Sequence, residues 1–80
     1  MNEHQKQYHF FVDAKRYETQ EASLTGAEIK KIAGLPPTYQ VFEEEEGDTP
    51  DKPISDAEAV RLDGKIKHFY AVPPATFGIE

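Results

Sequence analysis

Apolar residues along this chain fall in short, separated runs, and their spacing shifts from a period of two to a helical period and back. From Tyr8 to Val12 the order alternates, with Tyr8, Phe10 and Val12 on one side and His9 and Phe11 on the other, which is the signature of a strand. The polar stretch Asp13-Ala14-Lys15-Arg16 can turn the chain, and Tyr17 to Ala22 can return antiparallel as a second strand. Thr25-Gly26-Ala27-Glu28 then matches a capping box, in which the Thr25 hydroxyl accepts from the Glu28 amide and the Glu28 carboxylate reaches back to the amide of Thr25. Leu24 and Ile29 occupy the staple positions around that cap. Ile29, Ile32 and Ala33 share one face, and Lys30 and Lys31 sit near the negative end of the helix dipole. Gly34 can end the helix in the left-handed conformation and Pro36-Pro37 block its continuation, so a helix of about three turns is expected.

Beyond the prolines, Tyr39-Gln40-Val41-Phe42 reads as a third strand that runs into the acidic block Glu43 to Glu46 and a loop from Gly47 to Pro53. Ser55-Asp56-Ala57-Glu58 is a second, weaker capping box able to start a single helical turn, with Ile54, Val60 and Leu62 facing inward. Asp63-Gly64 makes a tight turn. Lys65 to Val72 alternates again, with Lys67, Phe69 and Ala71 on one face and Ile66, His68, Tyr70 and Val72 on the other, and Pro73-Pro74 ends it. The order strand, strand, helix, strand, turn, strand predicts an α+β β-grasp fold: a four- to five-stranded mixed sheet with one helix packed across it. The last strand must lie beside the first to bury Phe10, Val12, Ile29, Ile32, Val41, Leu62 and Phe69 together. The expected division is residues 1–7 as a flexible N-terminus, 8–73 as the domain and 74–80 as an extended C-terminal tail.

Composition narrows the chemistry. Eighty residues allow one core of modest stability. The chain has no cysteine, which removes disulfides, thiolate metal sites and a Cys nucleophile. Fifteen acidic residues against nine basic ones give a net charge of −6, which opposes binding to nucleic acid or to anionic membranes and favours protein partners. No apolar run approaches a membrane span and the polar start lacks a signal-peptide core, so a cytoplasmic location is expected. His4, His9 and His68 lack metal-ligand spacing, and the run Glu43 to Glu46 lacks the pattern of a calcium loop. Neither a nucleophile with a base nor a phosphate-binding loop is present, so no catalytic residue, metal or cofactor is expected and the chain does not read as an enzyme.

Phe11-Val12-Asp13, Leu24-Thr25-Gly26, Ile32-Ala33-Gly34-Leu35-Pro36-Pro37, Leu62-Asp63-Gly64 and His68-Phe69-Tyr70-Ala71-Val72-Pro73, in this order and spacing, resemble the bacterial ubiquitin-like modifiers of the multiubiquitin domain family. The resemblance implies a modifier whose C-terminal carboxylate is adenylated, with ATP, by a separate activating enzyme and passed through a transfer enzyme to target proteins. A deconjugating or processing peptidase completes the set of partners. The resemblance leaves antiviral defence and stress response open as roles, and no residue here selects between them.

The conjugation residue would be Gly78, because a glycine tail can thread a narrow active site and leaves its carboxylate open to approach. Ile79 and Glu80 follow it, so the Gly78–Ile79 bond would be the processing site, with Thr76 and Phe77 read by the partner enzymes as the tail. Phe77 stands where ubiquitin has a second glycine. The resemblance also places Phe69 and Ala71 inward, which makes His68, Tyr70 and Val72 on the exposed sheet face a second site, a patch for partner binding. The seven lysines, Lys6, Lys15, Lys30, Lys31, Lys52, Lys65 and Lys67, are acceptor candidates for chain formation. Two other readings stay open: a β-grasp binding module that is never conjugated, and a sulfur carrier whose tail becomes a thiocarboxylate.

Overall fold

The computed structural model describes residues 6–75. Its elements in chain order are β1 (Tyr8–Val12), β2 (Lys15–Thr19), β3 (Ser23–Thr25), α1 (Gly26–Ala33), β4 (Gln40–Glu43), β5 (Lys52–Ile54), β6 (Ala59–Arg61) and β7 (Lys67–Val72). Five strands form one sheet in the order β2-β1-β7-β4-β5, parallel between β1 and β7 and antiparallel elsewhere. β3 and β6 pair separately as a short antiparallel ribbon. With the helix laid against the sheet, this is the ubiquitin-like β-grasp α+β fold.

The parallel pairing at the centre has a simple cause. Phe10 and Val12 on β1, Val41 on β4 and Phe69 on β7 all point to one side, where Ile29 of α1 meets them, and each is at most 2% exposed. Phe10 and Phe69 touch edge to face at 6.1 Å. Each such buried side chain stabilises the fold by roughly 1.5–3 kcal/mol, so the sheet is held by its inner face. Leu24, Ile54, Val60 and Leu62 complete the core from the ribbon and the sheet edge.

The N-terminus of the helix forms as its sequence dictates: the Thr25 hydroxyl accepts from Glu28 N (3.2 Å), and the Glu28 carboxylate accepts from Thr25 N (2.8 Å). Gly34 closes the other end at φ 72°, in the left-handed region. The helix has eight residues, a little over two turns rather than three. Its buried stripe is Gly26, Ile29 and Lys30, with Ala33 beside them, so Ile32 is not in the core but 38% exposed. At about 100° per residue, Ile32 lies on the far side of Ile29 from that stripe. Lys30 goes inside instead. Its stem is buried, and its ammonium donates to Pro37 O (2.7 Å) and pairs with Asp56 (2.7 Å).

Several boundaries differ from the sequence reading. The first hairpin turns on Asp13 and Ala14 alone, both at positive φ (53° and 69°), so Lys15 and Arg16 already belong to β2, which ends at Thr19 rather than continuing to Ala22. A two-residue turn of this hand matches the twist of the strands better than a longer polar loop. β4 begins at Gln40 and β7 at Lys67, each later than the alternation alone suggests. Part of the expected loop is strand β5, with Pro53 tolerated because β5 is a sheet edge. Ser55 to Glu58 is a single turn closed by Glu58 N donating to Ser55 O (3.1 Å), and it does not go on into a helix. Only the Glu58 side chain completes its half of the box, accepting from Ser55 N at 3.4 Å, and the chain then enters β6. That turn serves the helix instead: Glu58 O and Asp56 O accept from Gly26 N (3.1 Å) and Ala27 N (3.2 Å), satisfying amides that a helix start leaves free.

Candidate functional site

The side of the sheet away from the helix is open, and the register determines what it presents. Phe69 points inward, so His68, Tyr70 and Val72 face outward, with His68 exposed and Val72 41% exposed. The alternation of β1 and β4 adds Phe11 and Phe42 to the same face. Phe11 stacks on His68 with centroids 4.8 Å apart and planes 8° from parallel, and Phe42 stacks on Tyr70 at 5.3 Å and 11°. Four rings thus cover the middle of an outer sheet surface that is ordinarily polar. Phe11 and Phe42 were not singled out from sequence. The signal was available, since each sits at the polar phase of an alternating strand, opposite the residues that enter the core.

Charges flank the rings on both sides. On β2, Arg16 Nη2 donates to His9 Nδ1 (2.8 Å) and pairs with Glu18 (3.1 Å). On the opposite flank, the Tyr70 hydroxyl donates to Asp51 (2.8 Å), and the same carboxylate accepts from Glu45 N (3.0 Å). These two bonds pin the acidic β4–β5 loop to the face. The Glu45 amide, and after it the Tyr70 hydroxyl, hold the Asp51 carboxyl below the usual carboxylate range. The same bond, with the nearby negative charges, pushes the Tyr70 phenol up.

The C-terminal end of β7 is a second feature. β7 lies between β1 and β4, and Val72 still pairs with Gln40 at its end. The Asp13 carboxylate accepts from Ala71 N (3.2 Å), and Asp13 N donates to Phe69 O (3.0 Å), which carries the β1–β7 ladder past the hairpin. Pro73 to Ala75 follow as exposed chain. Thr76, Phe77, Gly78 and Ile79 lie outside the described residues.

The described residues also form concave regions. One, of about 250 Å³, runs beside the helix between Lys31, Leu35, Pro37 and Asp56. Another, of about 410 Å³, lies between the acidic loop and the start of β7. Among the described residues no group of three or more His, Asp or Glu side chains is arranged to hold a metal ion. Buried and doubly bonded, Lys30 drops out of the acceptor amines that counting lysines allows, and Lys67 is half-buried against Glu43 at 3.1 Å.

No helix of the described residues is long and apolar enough to cross a membrane. No curated protein and no solved structure matches the chain. The family model described as Multiubiquitin matches residues 8–73, from the first residue of β1 to the residue after β7. The chain therefore belongs to the multiubiquitin family of ubiquitin-like domains.

Proposed function

We propose that this domain is a ubiquitin-like protein modifier of a bacterial cytoplasmic pathway, acting through its C-terminal tail and its open sheet face rather than as an enzyme. The observation that carries the reading is the position of β7. A strand bonded on both sides is among the last parts of a sheet to open, so the chain beyond Val72 leaves from a rigid base. Pro73-Pro74 stiffens that exit, and the few residues to Gly78 give an arm able to enter a partner's active site.

The chemistry needs nothing from this chain but the tail. A peptidase hydrolyses the Gly78–Ile79 bond and frees the Gly78 carboxylate. An activating enzyme joins that carboxylate to ATP as an acyl adenylate with release of pyrophosphate. The acyl group then passes to a nucleophile of the transfer enzyme's relay with loss of AMP, and a target amine attacks the carbonyl, expels that nucleophile and loses a proton as the amide forms. The aromatic face, with His68, Tyr70 and Val72 at its centre, is the surface by which partners hold the domain.

Two sets of variants test this in cells that carry the activating and transfer enzymes. Deletion of residues 78–80 and Gly78→Ala are expected to abolish covalent adducts while the domain stays folded. His68→Ala with Tyr70→Ala is expected to weaken partner capture roughly tenfold or more with the tail intact. Undiminished adducts with the deletion variant would refute the modifier reading and leave a non-conjugated binding module.

A further inference from the structure

One transverse row of the open face carries a pattern that neither conjugation nor the family requires. Arg16 on β2 is paired across the ladder with Phe11 on β1, and Phe11 is paired with His68 on β7. Glu44, just past the end of β4, donates its amide to His68 O (2.8 Å) and continues the row. Read across the sheet, the row is cation, ring, ring, carboxylate, spread over three interstrand spacings or roughly 14 Å. Its middle is the closest of the ring stacks, Phe11 on His68. Its ends are exposed.

Such a row is its own complement. A two-fold axis running along the strands, between β1 and β7 and parallel to the face, turns the row end for end. Arg16 then lies over Glu44 of a second copy, Glu44 over its Arg16, and Phe11 over its His68. We infer that this face pairs with the same face of a second copy of the chain, as an isologous two-fold dimer. Among the described residues the contacts of Arg16, to His9 and Glu18, use Nη2, which leaves Nη1 and Nε to face the opposing carboxylate.

The size of the face sets the strength. With the axis between β1 and β7, four strands oppose their counterparts and β5 overhangs; at about 4.8 Å apart and about five residues deep they give a footprint of roughly 300 Å² per copy, below the size of stable specific interfaces. Two net charges of −6 also repel. The pairing is therefore transient, with Kd on the order of 0.1–1 mM. It matters where copies are held close together, because there it withdraws the face from other partners. The inference rests on reading this face as a docking surface, and names its occupant.

The test follows amide shifts of the full chain on dilution from about 1 mM, in the wild type and in two charge-reversed variants. Phe11, Glu44 and His68 are expected to move, and the exposed amides of the helix are not. Arg16→Glu and Glu44→Arg each place like charges opposite in a self-dimer and should weaken it about tenfold or more, whereas their equimolar mixture restores both opposed pairs and should recover Kd to within about threefold. Glu44→Arg separates this from net charge: it reduces the overall repulsion, so a dimer governed by net charge would tighten, whereas the row requires it to weaken. Both positions are exposed, and spectral dispersion reports that the variants fold. Shifts that do not move on dilution, or a tighter Glu44→Arg self-dimer, would overturn the pairing. In that case the docking reading survives provided His68→Ala and Tyr70→Ala still lose a different protein partner.

Discussion

Gly26 stands where the first turn of the helix meets the Ser55–Glu58 turn. A Cβ there would be driven into the Ser55 carbonyl oxygen and against the Asp56 backbone. Backbone cannot move aside as the end of a long side chain can, so Gly26→Ala should cost about 1–3 kcal/mol in urea denaturation. Gly34 is a useful contrast. Its surroundings are open but its φ of 72° is left-handed, so Gly34→Ala should cost only about 1 kcal/mol, from conformation alone. The Asp51 carboxyl, held below its ordinary range by the Glu45 amide and the Tyr70 hydroxyl, gives a pH prediction. A depressed carboxyl stabilises the fold above its unfolded pKa of about 3.9 and loses that contribution as pH falls through its lower folded value. The loop should therefore stay pinned from neutral pH down to about pH 4 and release only below it. Tyr70 ring shifts followed by NMR should step in that acid range, and Asp51→Asn should remove the step. Lys30 shows how far a residue's role can lie from its sequence. Mid-helix and basic near the helix C-terminus, it reads as a solvated charge. Its burial depends on Pro37 and Asp56 converging on it, and no local pattern announces that.

At the scale of elements, legibility followed whether a signal was local. The helix start was readable because Thr25 and Glu28 satisfy each other's amides within four residues, and Thr25→Ala should cost about 1 kcal/mol in thermal or urea melts. The β3–β6 ribbon was invisible for the opposite reason. Each strand has three residues, Thr25 serves both strand and cap, and the partner strand lies more than thirty positions away. The β1–β2 hairpin is intermediate: the strands were legible, and the register was blurred by four polar residues of which only two turn. Its Ala14 sits at φ 69° without the freedom of glycine. Ala14→Gly should therefore stabilise the domain by about 0.5–1 kcal/mol, while Asp13 must stay, because its carboxylate holds Ala71 N. Half of the open face was readable as the outward phase of β7. Phe11 and Phe42 belong to it only through pairings across the sheet, which place a ring from a neighbouring strand against each ring of β7.

For the whole molecule, the features combine into an object that offers a surface and an end. A short helix of eight residues cannot hold itself, so stability comes from the shared core beneath the sheet, to which the outer face adds no buried residue. The central β7 joins the two parts of the proposed function: its outward residues form the middle of the aromatic face, and its C-terminus leads to the tail. The most direct test is mass spectrometry of the domain recovered from cells carrying the proposed activating, transfer and processing enzymes. Chains lacking Ile79 and Glu80 are expected, together with branched peptides in which the Gly78 carbonyl is amide-linked to an amine of another protein. Chains that all retain Glu80, with no branched peptide ending at Gly78, would contradict the modifier reading.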